Sequence, residues 1–384
     1  MGLTDTPELV AFRGEVRAFL AAKAPRLPVR AGFRSPESEE EDRVVRAWRA
    51  ALYEAGYLGG DWPQEWGGAS AFDPLRDLVL AEEVARARLP PLTDQTHLAG
   101  FALVRFGSEE QKARHLPAIR DGSETWCQLF SEPEAGSDLG AMRTRARREG
   151  DEWIVDGQKV WSSNAAWSDL GFLLARTGTQ ESRHRGISAF IVDMRAAGID
   201  IRPLREITGT SDFSEVFFDG CRLPVDALLG PASDGWRVAM ESLGAERSGI
   251  GAGAARLRLM LDDLVELARD RGRYEDGAVR EQLGRFAAEV EVCNLLVYQR
   301  LERELAGVAH ASDVPVGKLA FSELNLAMAE FGVSLLGEDG LAAGSIWQDE
   351  FLYARTYTVA GGASEIMRNI LAERALGMPR EARS

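Results

Sequence analysis

The chain has 384 residues, 45% hydrophobic and 27% charged, the composition of a soluble globular protein with one large domain or roughly two to three ordinary ones. A formal net charge of −15 argues against a nucleic-acid partner, because phosphate binding needs clustered positive charge. Three scattered cysteines (Cys127, Cys221, Cys293) and four histidines without ligand spacing argue against disulfides and a metal site, and fit a reducing cytoplasm. The polar start, Met1 to Thr6, has no signal-peptide core, and no apolar run approaches the ~20 residues of a bilayer span.

Residues 1–122 read as helical. Leu9, Phe12, Val16, Phe19 and Leu20 form one apolar stripe, and Ser108 to Gln111 has capping-box spacing ahead of another helical run. A Gly- and aromatic-rich loop, residues 59–68, separates helices. Over residues 123–230 the period falls to two. Trp153-Ile154-Val155 and Gln158 to Trp161 read as a hairpin on an Asp156-Gly157 turn, and Ile187–Val192 and Glu215–Phe218 as further strands. Few helical patterns intervene, which predicts an antiparallel β-domain and not a βαβ unit. Over residues 231–384 the helical period returns in Ser233–Ala268, Gly277–Ala306, Pro315–Leu336 and Ser364–Leu376, predicting a bundle of about four helices. The fold class is therefore α+β: an N-terminal α-helical domain, a middle antiparallel β-domain and a C-terminal four-helix bundle.

The most telling stretch is Gln128-Leu129-Phe130-Ser131-Glu132-Pro133-Glu134-Ala135-Gly136-Ser137-Asp138, read with Lys159-Val160-Trp161-Ser162-Ser163-Asn164. It joins hydroxyls, a small bend and a Trp in a way that suits the edge of a flat redox-active ring. Together with the loop at Trp62, Phe106 to Lys112 and Ala363 to Asn369, all in order, it resembles the acyl-CoA dehydrogenase family from end to end. The resemblance implies FAD and α,β-desaturation of an acyl thioester. It places Gln128, Phe130, Ser131, Trp161 and Ser163 at the flavin, and Gly136 and Ser137 where backbone approaches the ribityl phosphate. The alternative for Phe130 and Trp161 is ordinary β-domain core. It further implies Ser364 and Glu365 at the cofactor, and Ser137, Leu243, Gly244 and Arg247 at the substrate.

In the family a second subunit completes the FAD site through an Arg, an aromatic three residues later and a Gln eleven later. Arg271, Tyr274 and Gln282 fall at those steps, and a guanidinium suits a pyrophosphate. The alternative for Arg271 is a solvated residue between helices. The second family signature departs from pattern in Ser334 to Gly340. Gly337 and Gly340 are kept, but Ser334 replaces a Gln and Glu338 a Gly. Two carboxylates near a pyrophosphate are unfavourable unless they turn away or are neutralised.

The reaction needs a carboxylate opposite the flavin, within reach of the thioester Cα. Most family members take it from the stretch that here reads Val359 to Glu365, where the matching position is Gly361. Leu243-Gly244-Ala245-Glu246-Arg247 resembles the helix that supplies the base in the isovaleryl-CoA branch, which makes Glu246 the candidate. The alternative is a helix-surface or structural Glu246–Arg247 pair. The Gly361 N–H would serve as an oxyanion-type donor. Gly361-Gly362 with Ser248, Gly249, Gly251, Ala252 and Gly253 point either to a wide pocket for branched or ring-bearing acyl groups or to close helix packing. The pairing of Gly361-Gly362 with Glu246 most resembles actinobacterial sterol side-chain acyl-CoA dehydrogenases, some of them α2β2 heterotetramers. Expected partners are an acyl-CoA or carrier-protein thioester, an electron-transfer flavoprotein as oxidant, and either three more copies or a homologous chain, with no nucleic acid and no membrane. A flavin monooxygenase or oxidase on the same fold, and a non-catalytic scaffold subunit, are the alternatives. Neither would need Glu246.

Overall fold

The computed structural model describes residues 6–32, 34–69, 72–92, 94–245, 249–342 and 344–380. Five helices open the chain: α1 Pro7–Lys23, α2 Glu39–Glu54, α3 Pro74–Arg86, α4 Gln95–Phe106 and α5 Glu109–Arg120. Each start is fixed by a side-chain cap, from Thr6, Ser38, Asp73, Asp94 and Ser108. The predicted capping box is complete: Ser108 accepts from Gln111 N–H, and the Gln111 side chain accepts from Ser108 N–H. The α1 stripe buries Leu9, Phe12, Val16 and Leu20, while Phe19 is half-buried and stacks on Trp48.

The β-domain is an eight-stranded sheet of order β6-β7-β3-β2-β4-β5-β8, with β1 also on β4. Its strands are β1 Trp126–Leu129, β2 Arg145–Glu149, β3 Glu152–Ser163, β4 Leu170–Arg176, β5 Ile187–Asp193, β6 Ile199–Leu204, β7 Phe213–Pro224 and β8 Leu228–Leu229. Two expectations change here. The sheet is mostly antiparallel, but β1 and the first residue of β2, Arg145, pair parallel to β4. Asp156-Gly157 is not a turn: it is a bulge within one long strand, and the turn falls at Gly150-Asp151. The reason is local. A Cβ at Gly157 would lie 2.6 Å from the Thr144 Cα, and the Asp156 carboxylate is held across strands by Arg147 and by Gly220 N–H, so the chain keinks on without reversing.

The remaining helices are α6 Gly235–Ala245, α7 Gly249–Asp270, α8 Gly277–Leu305, α9 Asp313–Leu336, α10 Ile346–Val359 and α11 Ser364–Ile370, the last running into a π turn, Leu371–Ala375. The run predicted over Ser233–Ala268 is therefore two helices. α10 was not foreseen, because Ile346, Trp347, Tyr353, Thr356 and Val359 give it a strand-like composition. Tertiary packing overrides that: Trp347, Tyr353 and Ala354 are buried, and a Cβ at Gly332 of α9 would sit 2.2 Å from the Trp347 ring. The stretch Asp313–Leu341 is long and apolar enough to cross a membrane by length and composition, contrary to the expectation that no such run exists. In the bundle it buries Leu324, Met328, Ala329 and Leu335 among α7, α8 and α10. One side chain joins all three regions: Arg34 donates to Asp212 of the β-domain (2.8 Å) and to Asp349 of α10.

Candidate active site

The Ser131–Asp138 loop is fastened to β3 from below. Val160 N–H donates to the Ser131 carbonyl (3.0 Å), and the buried Lys159 ammonium donates to the Phe130 carbonyl (3.0 Å) and the Glu132 carboxylate (2.8 Å). Glu132 also accepts from the Arg143 and Thr144 amides, at 2.6 and 2.9 Å. Burial pushes the Lys159 ammonium down to about 8, with Glu132 opposing. Burial alone would raise Glu132, but Lys159 and the amides outweigh it and hold the carboxyl below its ordinary value. Sequence reasoning passed over Lys159 and Glu132. The available signal was a lysine at a core-facing strand position, with an acid in the facing loop.

Above this anchor the predicted flavin residues stand open. Trp161 is 60% exposed, so it is not β-domain core, and its backbone is left-handed (φ 58°) at a register shift in β3. A left-handed non-glycine costs about 1–2 kcal/mol, and such strain gathers at functional sites. Phe213 meets the Trp161 ring edge-on, at 6.1 Å. Gln128, Ser131 and Ser163 are half-buried, and Gly136 and Ser137 exposed. Phe130 is different: its ring is core, packed edge-on against Phe172 at 5.0 Å. Asp138, at the loop end, pairs with Arg183. The Ser162 and Ser364 hydroxyls are buried with no hydrogen-bond partner among the described residues. Glu365 beside Ser364 is exposed. An open aromatic, the half-buried Ser131 and Ser163 and a glycine with open space at its missing Cβ (Gly136) fit a flat, hydrogen-bonding cofactor, whereas Ser364 sits on α11, away from this edge.

The residues expected to serve a partner's FAD gather elsewhere, where α7 turns into α8 and α9 ends. Arg271 is exposed and donates to Asp339 at 2.5 Å, so one of the two carboxylates is neutralised by the guanidinium that the resemblance assigns to pyrophosphate. Glu338 is exposed. Tyr274 packs with the bundle core, between the guanidinium groups of Arg269 and Arg280, and Gln282 is half-buried. Gly337 ends α9 with φ 62°, and a Cβ at Gly340 would lie 2.7 Å from the Val333 carbonyl. Among the described hydrogen bonds, Arg271, Tyr274, Gln282, Gly337 and Gly340 make none to the β-domain.

A cavity of about 810 Å³ lies between the N-terminal helices and the bundle, and Leu243, Gly244 and Gly361 all line it. Glu246 and Arg247 lie outside the described residues, as does Ser248, and nothing is described of the Gly249 and Gly251 surroundings. Gly361 has φ 64° with open space where a Cβ would be. Gly362 has none, since a Cβ there would meet Met367 Cε at 2.1 Å. Gly253 lines the cavity but would place a Cβ 3.1 Å from the Phe321 ring, so it also serves close helix packing. Arg256 pairs with Glu350 across the cavity wall, at 2.6 Å to Oε2. The sequence reading also missed the polar groups of this cavity, among them Asp77, His97 and Lys318, which sit on three helices. Among the described residues no group of His, Cys, Asp and Glu could hold a metal ion, and the three cysteines are buried and free.

Comparison with known proteins agrees along the whole chain. Family models of the acyl-CoA dehydrogenase N-terminal, middle and C-terminal domains match residues 6–123, 127–221 and 233–376. The chain is 39% identical to acyl-CoA dehydrogenase IpdE1 of Mycobacterium tuberculosis, over 97% of this chain and 98% of that one. It is 37% identical to acyl-CoA dehydrogenase FadE34 of the same organism, over 98% of this chain and 50% of that one. Among solved structures it resembles the Tcur3481-Tcur3483 steroid ACAD, with TM-score 0.87 and 31% identity over 99% of this chain and 100% of that one. It also resembles a chain of the ChsE4-ChsE5 complex from Mycobacterium tuberculosis, with TM-score 0.84 and 26% identity over 99% and 100%. With three successive domain models, near-complete coverage by its relatives and the matching α–β–α architecture, the chain belongs to the acyl-CoA dehydrogenase family.

Proposed function

We propose that this acyl-CoA dehydrogenase forms the trans-2-enoyl thioester of a branched or ring-bearing acyl-CoA, with Glu246 as its base. The observation that carries the reading is the single cavity of about 810 Å³ shared by Gly361 and by Leu243-Gly244, two residues before Glu246. Its volume lies toward the upper end for small-molecule sites and exceeds what a short straight chain needs. The steroid ACAD among its structural relatives supports a bulky acyl group.

Glu246 takes the proton from the thioester Cα. A carboxylate beside an acyl chain loses solvation, which raises its basicity toward the range a general base needs. The Gly361 N–H donates to the thioester oxygen as enolate charge develops there. Gln128, the Phe130 and Ser131 backbone, Gly136, Ser137, Trp161, Ser163, Ser364 and Glu365 hold FAD, which when bound accepts the hydride leaving Cβ. An electron-transfer flavoprotein is the proposed oxidant of the reduced enzyme. We further infer an α2β2 assembly with a homologous chain, because Arg271 is engaged by Asp339 and poorly placed to serve a second FAD. The heteromeric names of two structural relatives point the same way.

The test is an anaerobic titration of the assembled enzyme with branched and steroid-like acyl-CoAs, followed by flavin absorbance. Wild type should bleach. Glu246→Gln should bleach about 10²–10⁴-fold more slowly with its bound flavin intact. Equal bleaching by both would sink the base assignment, and octanoyl-CoA outrunning every branched or cyclic thioester would sink the wide-pocket reading.

A further inference from the structure

We propose that Arg34 is a positioning residue for the reaction: it fixes the Trp161 edge of the β-domain against the Gly361 end of α10, and so sets the separation between flavin and thioester. The proposal rests on the reading of the cavity as the acyl pocket and of the Trp161 edge as the flavin side. Arg34 sits in the connection between α1 and α2, of which residues 24–32 and 34–38 are described, and it lines the cavity together with Asn164 and Gly361.

Two arms leave this guanidinium. On the β side Nη1 donates to Asp212 (2.8 Å) and to the Thr210 hydroxyl (3.0 Å), while Ser35 N–H donates to the other Asp212 oxygen (2.7 Å). The Asp212 carbonyl accepts from the Ser35 hydroxyl (3.1 Å) and from the N–H of Asn164 (3.0 Å), the residue after Ser163. Phe213, next in the chain, pairs with Ser163 across the sheet and meets the Trp161 ring edge-on. On the bundle side Nη2 donates to Asp349 of α10, whose second oxygen accepts from Ala31 N–H (2.7 Å). The guanidinium also lies over the ring of Tyr353, one turn further along α10, at 4.6 Å from its centroid. Gly32 (φ 70°) passes so close that a Cβ there would fall 1.8 Å from that ring. α10 ends at Val359, two residues before Gly361.

The chemistry needs such a tie. A proton leaves Cα while a hydride leaves Cβ, so the flavin edge and the donor to the thioester oxygen must keep one separation, yet they stand on different regions of the chain. A misplacement of about 1 Å costs about 10²-fold in rate. Arg34 is suited to prevent it. Its side chain is 7% exposed and that of Asp212 3%, and its Nε donates to the Ala31 carbonyl (2.7 Å). Burial disfavours the charge, but Asp212 and Asp349 outweigh it and hold the guanidinium above its ordinary value. A planar fork reaches two carboxylates and a carbonyl at once, whereas a lysine is a point charge without that fixed geometry. A second tie between regions supplies the comparison. Arg46 of α2 bonds Asp42 of its own helix (2.7 Å) and, in the β-domain, Asp169 (2.6 Å) and the Trp167 carbonyl (2.9 Å), but it does not line the cavity.

The test compares Arg34→Lys, Asp349→Asn and Arg46→Lys with wild type in the assembled, flavin-loaded enzyme. Single-turnover flavin reduction is followed at saturating 3-cyclohexylpropanoyl-CoA, and hydrogen exchange is measured without any thioester. Arg34→Lys should reduce its flavin about ten- to a hundredfold more slowly, with thioester affinity within about threefold of wild type and flavin content unchanged. Asp349→Asn, an isostere that weakens only the bundle arm, should slow reduction about threefold or more, and it decides the matter if Arg34→Lys does not load flavin. Arg46→Lys should lower the melting temperature and leave the reduction rate at the wild-type value. In exchange, Arg34→Lys should open residues 160–165 together with the α1–α2 connection. A wild-type reduction rate in Arg34→Lys, an equal rate loss in Arg46→Lys, or faster exchange confined to the α1–α2 connection would each overturn the positioning role. If wild type reduces its flavin with no acyl-CoA, the dehydrogenation reading falls, and the exchange pattern alone then decides whether Arg34 ties the two sides together.

Discussion

The β-domain edge and the α3–α4 wall of the cavity both carry buried or half-buried charges, and they treat them in opposite ways. Under the Ser131–Asp138 loop every polar atom of Glu132 and Lys159 has a described partner: an ammonium, a carbonyl and two amides. On the cavity wall Asp77 and the His97 Nδ1 have none. The first arrangement holds a loop in one geometry for something that lies on top of it. The second leaves a carboxylate whose charged neighbours are other acids and an imidazole nitrogen with no described partner. Buried and half-buried polar residues thus separate into those balanced by their partners and those that are not, and the hydrogen-bond inventory distinguishes them where residue type does not.

The largest effect should come from breaking the finished network. Lys159→Met removes one member and strands Glu132 in the β-domain with its charge unbalanced. Such a loss costs about 3–5 kcal/mol when the remaining charge stays buried. Urea unfolding of the variant should show it, together with weakened flavin retention as the loop loses its anchor. Lys159→Met combined with Glu132→Gln should recover part of the loss, because no uncompensated charge is left buried, although only one of the Arg143 and Thr144 amides then keeps an acceptor. A loss under about 1 kcal/mol in the single variant would mean the pair is not structural.

Breaking the open arrangement should have a smaller effect of opposite sign. The Asp77 carboxyl sits at about 7 in the folded chain, against an ordinary 3.8, first because burial disfavours its charge and then because Asp61 and Asp73 repel it. The folded state therefore holds more protons than the unfolded state between those two values. Its stability falls as pH rises through that window, and the full cost stands above pH 7. Asp77→Asn removes the titrating group. It should raise stability by about 2 kcal/mol at pH 8.5, allowing for solvent around a half-buried carboxyl, and by almost nothing at the acid end of the window. Paired thermal melts at the two pH values check this. A gain that is the same at both would show that the carboxyl is not held up by its surroundings.

The sequence made the frame legible because periodicity and caps are local signals. The α1 stripe, the Ser108 box and the change of period near residue 123 need no tertiary knowledge. What escaped depended on partners distant in the chain. Asp156-Gly157 carries the strongest short turn signal, yet Thr144 and Gly220 across the sheet turn it into a bulge. α10 is left unassigned by its own mixed composition, and its place in the bundle shows only once Gly332 admits Trp347. The Ser131–Asp138 loop was legible as a family motif by its order of residues, whereas its anchor, Lys159, was not, because a lysine in a strand reads as solvated until a facing acid is placed. Asp77 and His97 lie on two helices with no shared pattern, and only the packing of α3 on α7 and of α4 on α6 brings both to the lining of one cavity.

The end of the bundle stands between these two cases, and it offers the smallest and most discriminating test. Arg271 is neither buried in a network nor open. It is exposed, and its charge is already met by the exposed Asp339. An exposed pair of this kind contributes little stability, about 0–1 kcal/mol, so its removal should not unfold the chain. It should instead release a guanidinium for phosphate. Asp339→Ser combined with Glu338→Gly takes two carboxylates out of that end while Gly337 and Gly340 keep the turn. Expressed without any partner, the double variant should bind FAD about tenfold more tightly than the parent chain, the size of one recovered charge-assisted hydrogen bond. FAD titration followed by flavin fluorescence measures it, and Arg271→Ala in the same background should cancel the gain. If the parent chain alone already holds one FAD per chain as tightly as the variant does, Asp339 does not compete for Arg271, and the case for a heteromeric partner loses its physical support.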